Sequence, residues 1–206
     1  MKNLGILLSG RGSNFLAIAE NIRRGLIPAQ ISIVISNRPE APGLERAREM
    51  GLHAVCIPSK GKAREEHDAE VIAALQQAKV DLVCLAGYMR LLSPEFIRAF
   101  PQRILNIHPS LLPAFPGLEA QKQAFDYGVQ VSGCTVHFVD EFLDHGAIIV
   151  QKVVPVLPED DHHALAARIL EQEHLAYTEA INVVLKGNFE ILGRRVVSKD
   201  LKTTMG

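Results

Sequence analysis

Over the first hundred residues, short apolar runs alternate with amphipathic stretches. Leu4–Leu8 reads as a buried strand, and a glycine-rich turn leads into a helical pattern from about Asn14 to Arg24. Ile31–Ser36 reads as a second strand, and Gly43–Gly51 as a second helix closed by its glycine. A third strand follows at His53–Pro58. The third helix, Ala63–Ala78, carries Val71, Leu75 and Ala78 at helical spacing. Val80–Gly87 is a fourth strand, apolar on both faces apart from Asp81. Strands that are apolar on both faces and alternate with helices predict a parallel sheet in an α/β layer fold.

The rhythm changes after about residue 100. Ile104–Ile107 is a strand and Gly117–Gly128 a helix. Ser132–Val139 and Gly146–Val156 read as two strands, antiparallel across the loop Asp140–His145. A long helix from about Asp161 to Leu185 and a hairpin near Phe189–Val197 complete the pattern. Nothing in the chain reads as a linker, repeat or low-complexity segment. The expectation is one domain, 1–206, with a Rossmann-like half at 1–100 and a mixed-sheet half at 101–206.

Composition narrows the function classes. A net charge of −1 and a pI near 6.7 give no electrostatic case for nucleic acid or an anionic membrane. The first apolar run is too short for a signal peptide and meets Arg11-Gly12-Ser13-Asn14 at once. No window approaches a bilayer span, so a cytoplasmic protein is expected. Cys56, Cys84 and Cys134 are widely spaced, which suits thiols in a reducing compartment better than a disulfide or zinc site.

Ser9–Asn14 joins the first strand to the first helix. Gly10 and Gly12 permit a tight turn, Ser13 or Asn14 is a candidate cap, and a helix start of this kind holds phosphate on free N–H groups. A plain strand–turn–helix is the alternative. A dinucleotide fingerprint is broken by Phe15 and Asn37, and no P-loop Gly-Lys-Ser/Thr is present.

In an extended strand, Asn106 and His108 point to the same side. At the C-terminal edge of a sheet, an amide and an imidazolium make a two-donor cradle for a developing oxyanion. Pro109, Pro113 and Pro116 stiffen the loop that follows. The alternative is that both side chains merely satisfy loop backbone. A carboxylate beside an imidazole favours its cationic form and fixes the ring. Asp140, Glu141 and Asp144 are the candidates, and spacing does not choose among them. His137, Asp140, Asp144 and His145 contain ligand types but no zinc spacing, so no metal is expected. Ser110 lacks a nucleophile elbow, which argues against a Ser–His–Asp triad. On the long helix, Leu165, Ile169, Ala176, Ala180 and Val184 form an apolar stripe that also contains Glu173. A carboxylate there needs a partner, either a salt bridge within the domain or hydroxyl groups of a ligand.

The segments "LLSGRGSN", "LAGYMRLLSP", "LNIHPSLLPAFPG" and "GCTVHFVDEFLDHGAIIVQ", with "EQEH" on the long helix, together resemble the phosphoribosylglycinamide formyltransferases of purine biosynthesis. The resemblance covers nearly the whole chain. It implies a formyltransferase fold and transfer of formyl from 10-formyltetrahydrofolate to the amine of glycinamide ribonucleotide, without a metal. It further implies that Asn106 and His108 stabilise the tetrahedral intermediate, and that Asp144 pairs with His108, keeps it cationic and helps relay the amine proton. Gly12, Ser13 and Asn14 would hold the ribonucleotide phosphate in the first half, and Glu173 its ribose hydroxyls. Arg64, Met89, Arg90, Leu91, Leu92, Asn106, Val139, Asp140 and Asp144 would line the folate site. The expected partners are these two small molecules, with no nucleic acid and no membrane, in a monomer or homodimer. The chain departs from the family pattern at His145, Ala147, Glu119 and Gln121. A formyltetrahydrofolate hydrolase is the nearest alternative. It uses water in place of the amine and has no need of a phosphate loop or of Glu173. A tRNA formyltransferase would need a basic RNA-binding domain, and this chain is not basic. A non-catalytic nucleotide-binding module is the third alternative.

Overall fold

The computed structural model describes residues 1–199; the end of the expected domain, 200–206, lies outside the described residues. The chain forms two compact units, Met1–Asn106 and the part from Ile107 onward.

The first unit runs β1 (Lys2–Leu8), α1 (Ser13–Arg23), β2 (Ala29–Ser36), α2 (Pro42–Glu49), β3 (Ala54–Cys56), α3 (Arg64–Gln77), β4 (Leu82–Leu85) and α4 (Pro94–Ala99), then enters β5 (Ile104–His108). The strand order is β3-β2-β1-β4-β5, with every neighbouring pair parallel. Parallel neighbours require crossovers, and the helices supply them. Covered on both faces, β1 buries Leu4, Ile6, Leu7 and Leu8 completely. At Gly5 the covering helix comes close: a Cβ there would lie 2.6 Å from Leu75 Cδ2 on α3.

The second unit holds α5 (Ala120–Tyr127), β6 (Val131–Phe138), β7 (Ile148–Pro155), α6 (His162–Lys186), β8 (Phe189–Leu192) and β9 (Arg195–Ser198). Its strand order is β6-β7-β9-β8. The β6–β7 pair is antiparallel, as the sequence pattern predicts, and its register shifts between Val136 and His137. Helix α6 lies against β6 and β7. Asp161 caps it by accepting from Ala164 N–H at 2.7 Å, and Gly187 closes it in the left-handed conformation. Leu165, Ile169, Ala176 and Ala180 are buried as the stripe predicts, whereas Val184 is half-buried.

Three local readings differ. Helix α4 carries no periodic signal in its six residues, although Ser93 caps it and Pro94 opens it. Helix α1 is entered from Gly12 in the left-handed region (φ 72°), with no side-chain cap, so neither Ser13 nor Asn14 plays the expected capping part. Helix α5 begins at Ala120 rather than Gly117, because Phe115, Gly117 and Glu119 all have positive φ and keep that stretch a loop. All three cysteines are free. Among the described residues, no helix is long and apolar enough to cross a membrane.

Candidate active site

The glycine loop comes first in the chain. The first bond of the α1 ladder is Leu16 N–H to Gly12 O at 2.9 Å, so the amides ahead of Leu16 lie outside the helix's own ladder. Gly12 is buried against α2: a Cβ would meet Gly43 Cα and Leu8 Cδ2 at 3.2 Å. Gly43 N–H donates to Gly10 O at 3.0 Å and closes the loop from outside. Ser13 is half-buried and Asn14 buried. Also in this unit, Arg64, Arg90 and Leu91 line an open depression with Glu65. Met89 and Leu91 are more than half exposed, at 58% and 56%, a large apolar surface for one short loop; Leu92 is half-buried.

Strand β5 carries Asn106, half-buried, and His108, buried, at alternate positions on one side. His108 Nε2 is 2.8 Å from Phe115 O. A carbonyl only accepts, so this nitrogen carries a hydrogen and donates it. The other ring nitrogen, Nδ1, lies 3.4 Å from Asp144 Oδ2. Nδ1 thus faces the carboxylate at a longer, ion-pair distance and is the ring nitrogen left for a ligand oxygen.

Asp144 is shared further. Its Oδ2 accepts from Gly117 N–H at 2.8 Å, and Oδ1 lies 3.8 Å from His137 Nε2. Burial lowers the pKa of His137, while its hydrogen bond to Phe138 O and nearby Asp144 act against that shift. His137 Nδ1 donates to Phe138 O at 2.7 Å, and Nε2 is the ring nitrogen on the Asp144 side. Asp144 itself sits at φ 49°, a backbone region that aspartate visits more readily than most residues. The neighbouring turn is tight, since a Cβ at Gly146 would overlap the Phe138 carbonyl oxygen.

Of the three carboxylates in the loop, Asp144 is therefore the one beside His108. Asp140 accepts from Phe142 N–H at 2.9 Å and pairs with His145 Nδ1 at 2.8 Å. Glu141 is exposed, and Val139 lies half-buried beside Asp140. Glu173 is buried on α6, 6% exposed. Burial and the adjacent Glu173 charge push the Cys134 thiol on β6 up to about 12. Among the described residues, no group of three or more His, Cys, Asp or Glu could hold a metal ion.

Several supporting residues carry no signal in the sequence. Thr135 Oγ1 donates to Ser110 O at 2.7 Å while accepting from Leu112 N–H at 3.0 Å and Gln151 Nε2 at 2.9 Å. Gln151 also donates to Leu112 O at 3.0 Å. Ser110 Oγ donates to Ala114 O at 2.6 Å and Phe115 O at 3.2 Å, so it braces the loop rather than facing His108 as a nucleophile. Side chains from β6 and β7 thus anchor the loop that supplies the carbonyl for His108.

The formyl transferase family model matches residues 2–181. A phosphoribosylglycinamide formyltransferase from Haemophilus influenzae is 41% identical over 192 residues, covering 93% of this chain and 91% of that protein. The trifunctional purine biosynthetic protein adenosine-3 of Drosophila melanogaster is 49% identical over 189 residues; the match takes in 90% of this chain and spans 14% of that longer protein. Among solved structures, glycinamide ribonucleotide transformylase 1 from Symbiobacterium toebii superposes with a TM-score of 0.93 at 52% identity, covering 96% of this chain and 94% of the other.

Proposed function

This chain belongs to the formyl transferase family, and from that premise we propose that it transfers the formyl group of 10-formyltetrahydrofolate to the amine of phosphoribosylglycinamide, the chemistry named for its close relatives in purine biosynthesis. The observation that carries this reading is His108, held between Phe115 O and Asp144 two residues after Asn106. Acyl transfer to an amine passes through a tetrahedral intermediate whose oxygen becomes negative. Asn106 and His108, through Nδ1, the ring nitrogen that Phe115 O does not hold, are the two donors for that oxygen. The attacking amine must lose a proton, and N10 of the folate must gain one as it leaves. Asp144, beside both His108 and His137, is the proton relay.

Gly12, Ser13 and Asn14 hold the ribonucleotide phosphate on the amides that open α1. Glu173 accepts from the ribose hydroxyls. Arg64, the segment 89–92, Val139 and Asp140 take the folate. The N-terminal half thus carries the phosphate site and the remainder the formyl chemistry, in one formyltransferase domain that works in the cytoplasm and needs no metal.

Turnover tests the reading directly. Purified protein should release tetrahydrofolate from 10-formyltetrahydrofolate only when phosphoribosylglycinamide is present. Equal release without the amine would make it a hydrolase. Gly12→Ala adds a methyl group where φ is positive and neighbours already stand at 3.2 Å. It should raise the KM for the ribonucleotide roughly tenfold, about 1.4 kcal/mol, and leave the folate KM unchanged. Equal shifts in both constants would remove the phosphate from this loop. Glu173→Gln keeps shape and loses charge; titration calorimetry should find ribonucleotide binding weakened roughly tenfold and folate binding intact. Equal losses for both ligands would return Glu173 to a purely structural part.

A further inference from the structure

The loop between β4 and α4 contains Met89, Arg90, Leu91 and Leu92, none of them in a helix or strand. Its shape is set from outside, at both ends. Met89 N–H donates to Ser9 Oγ at 2.8 Å, and that hydroxyl donates onward to Asn37 Oδ1 at 2.6 Å. At the far end, Ser93 N–H donates to Asp68 Oδ2 at 2.6 Å. Ser93 Oγ then accepts from Phe96 N–H at 3.3 Å and starts α4.

Asp68 stands on α3 and is 0% exposed. A carboxylate taken fully out of water is strongly destabilising unless it is paired. Its second oxygen, Oδ1, lies 3.6 Å from His67 Nδ1. His67 Nε2 donates to Ile57 O at 2.8 Å, which leaves Nδ1 as the nitrogen turned to the carboxylate. Tyr88 is buried as well; burial, and then the Asp68 charge, push its phenol well above the usual range. His67 Nδ1, Asp68 Oδ1, Tyr88 Oη and Arg90 Nε are all buried without a hydrogen-bond partner. Asp68 is the one anion among them.

For stability alone, a well-packed apolar group serves as well as a buried ion pair. This carboxylate instead bonds directly to the backbone of the loop assigned to the formyl donor. We infer that Asp68 is a positioning residue for that donor. With His67 behind it, it holds the Ser93 end of the loop in the form that receives the folate, while Ser9 holds the Met89 end. The inference rests on the assignment of this loop to the folate.

Asp68→Asn is the test variant, since it keeps the volume and one oxygen for Ser93 N–H while losing the charge that strengthens the bond. The KM for 10-formyltetrahydrofolate should rise about fivefold or more, with the ribonucleotide KM and kcat changed less than about twofold. Amide hydrogen exchange should quicken over residues 88–93 and stay slow in β1 and β4. Ser9→Ala, which frees the other end, should quicken the same stretch. Parallel rises in both KM values overturn the inference, as does an unchanged folate KM in a folded variant. The exchange measurement needs no turnover. If the wild type transfers no formyl group, the functional reading falls, whereas unchanged exchange over 88–93 in Asp68→Asn removes Asp68 from loop positioning.

Discussion

His108→Ala should lower kcat by roughly 10²–10³, the usual cost of removing one oxyanion donor. Both ligands should still bind, because the imidazole is assigned to the charge that develops during reaction and not to ground-state recognition. The variant leaves the Phe115 carbonyl and one Asp144 oxygen without their ring partner. Thermal unfolding should therefore be recorded beside the kinetics. The expected pattern is a large fall in kcat with KM values close to those of the wild type. A fall that appears only in the two KM values would make His108 a binding residue and leave the intermediate to Asn106.

Asp144→Asn should lower kcat by roughly 10²-fold or more, within the range of a lost proton-transfer group. Its amide oxygen can still accept from Gly117 N–H, which Asp144 Oδ2 now does at 2.8 Å, so the loop keeps its anchor. What changes is the group facing the ring. An amide NH2 toward His108 Nδ1 suits the neutral ring, which needs only its Nε2 hydrogen for Phe115 O. The charged donor and the proton relay are lost in one substitution. Binding of both ligands by calorimetry, measured beside kcat, separates this from unfolding of the loop. Full activity in Asp144→Asn would move the relay to another group and favour Asp140 as the next carboxylate to replace.

Much of the fold was legible in the sequence because buried parallel strands leave a plain mark. Leu4–Leu8 and Val80–Gly87 are apolar on both faces, and a glycine or a polar cluster ends each run. Helix α4 was not legible, since its six residues form through a serine cap, a proline and a buried Phe96 rather than any period. Asn106 and His108 were visible through strand alternation alone. The choice among Asp140, Glu141 and Asp144 was not visible to spacing, because it depends on a positive φ at Asp144 and on the close approach of Gly146 to Phe138. Only the family resemblance pointed to Asp144 beforehand. Thr135 and Gln151 were silent for a different reason. Each reaches a loop residue far away in the chain, 23 and 39 positions from Leu112, and such pairings exist only once β6 and β7 have formed. In the sequence His137 is only a metal-ligand type; its burial and its approach to Asp144 at 3.8 Å are tertiary facts.

The most direct test of the account follows the formyl group itself. Protein is supplied with 10-formyltetrahydrofolate labelled with ¹³C in the formyl carbon, together with phosphoribosylglycinamide, and the carbon is traced by NMR. The account predicts that the label leaves the folate and reappears as an amide carbon on the ribonucleotide, with tetrahydrofolate formed in equal amount and little free formate. Label recovered as formate at the same rate with and without the ribonucleotide would contradict it.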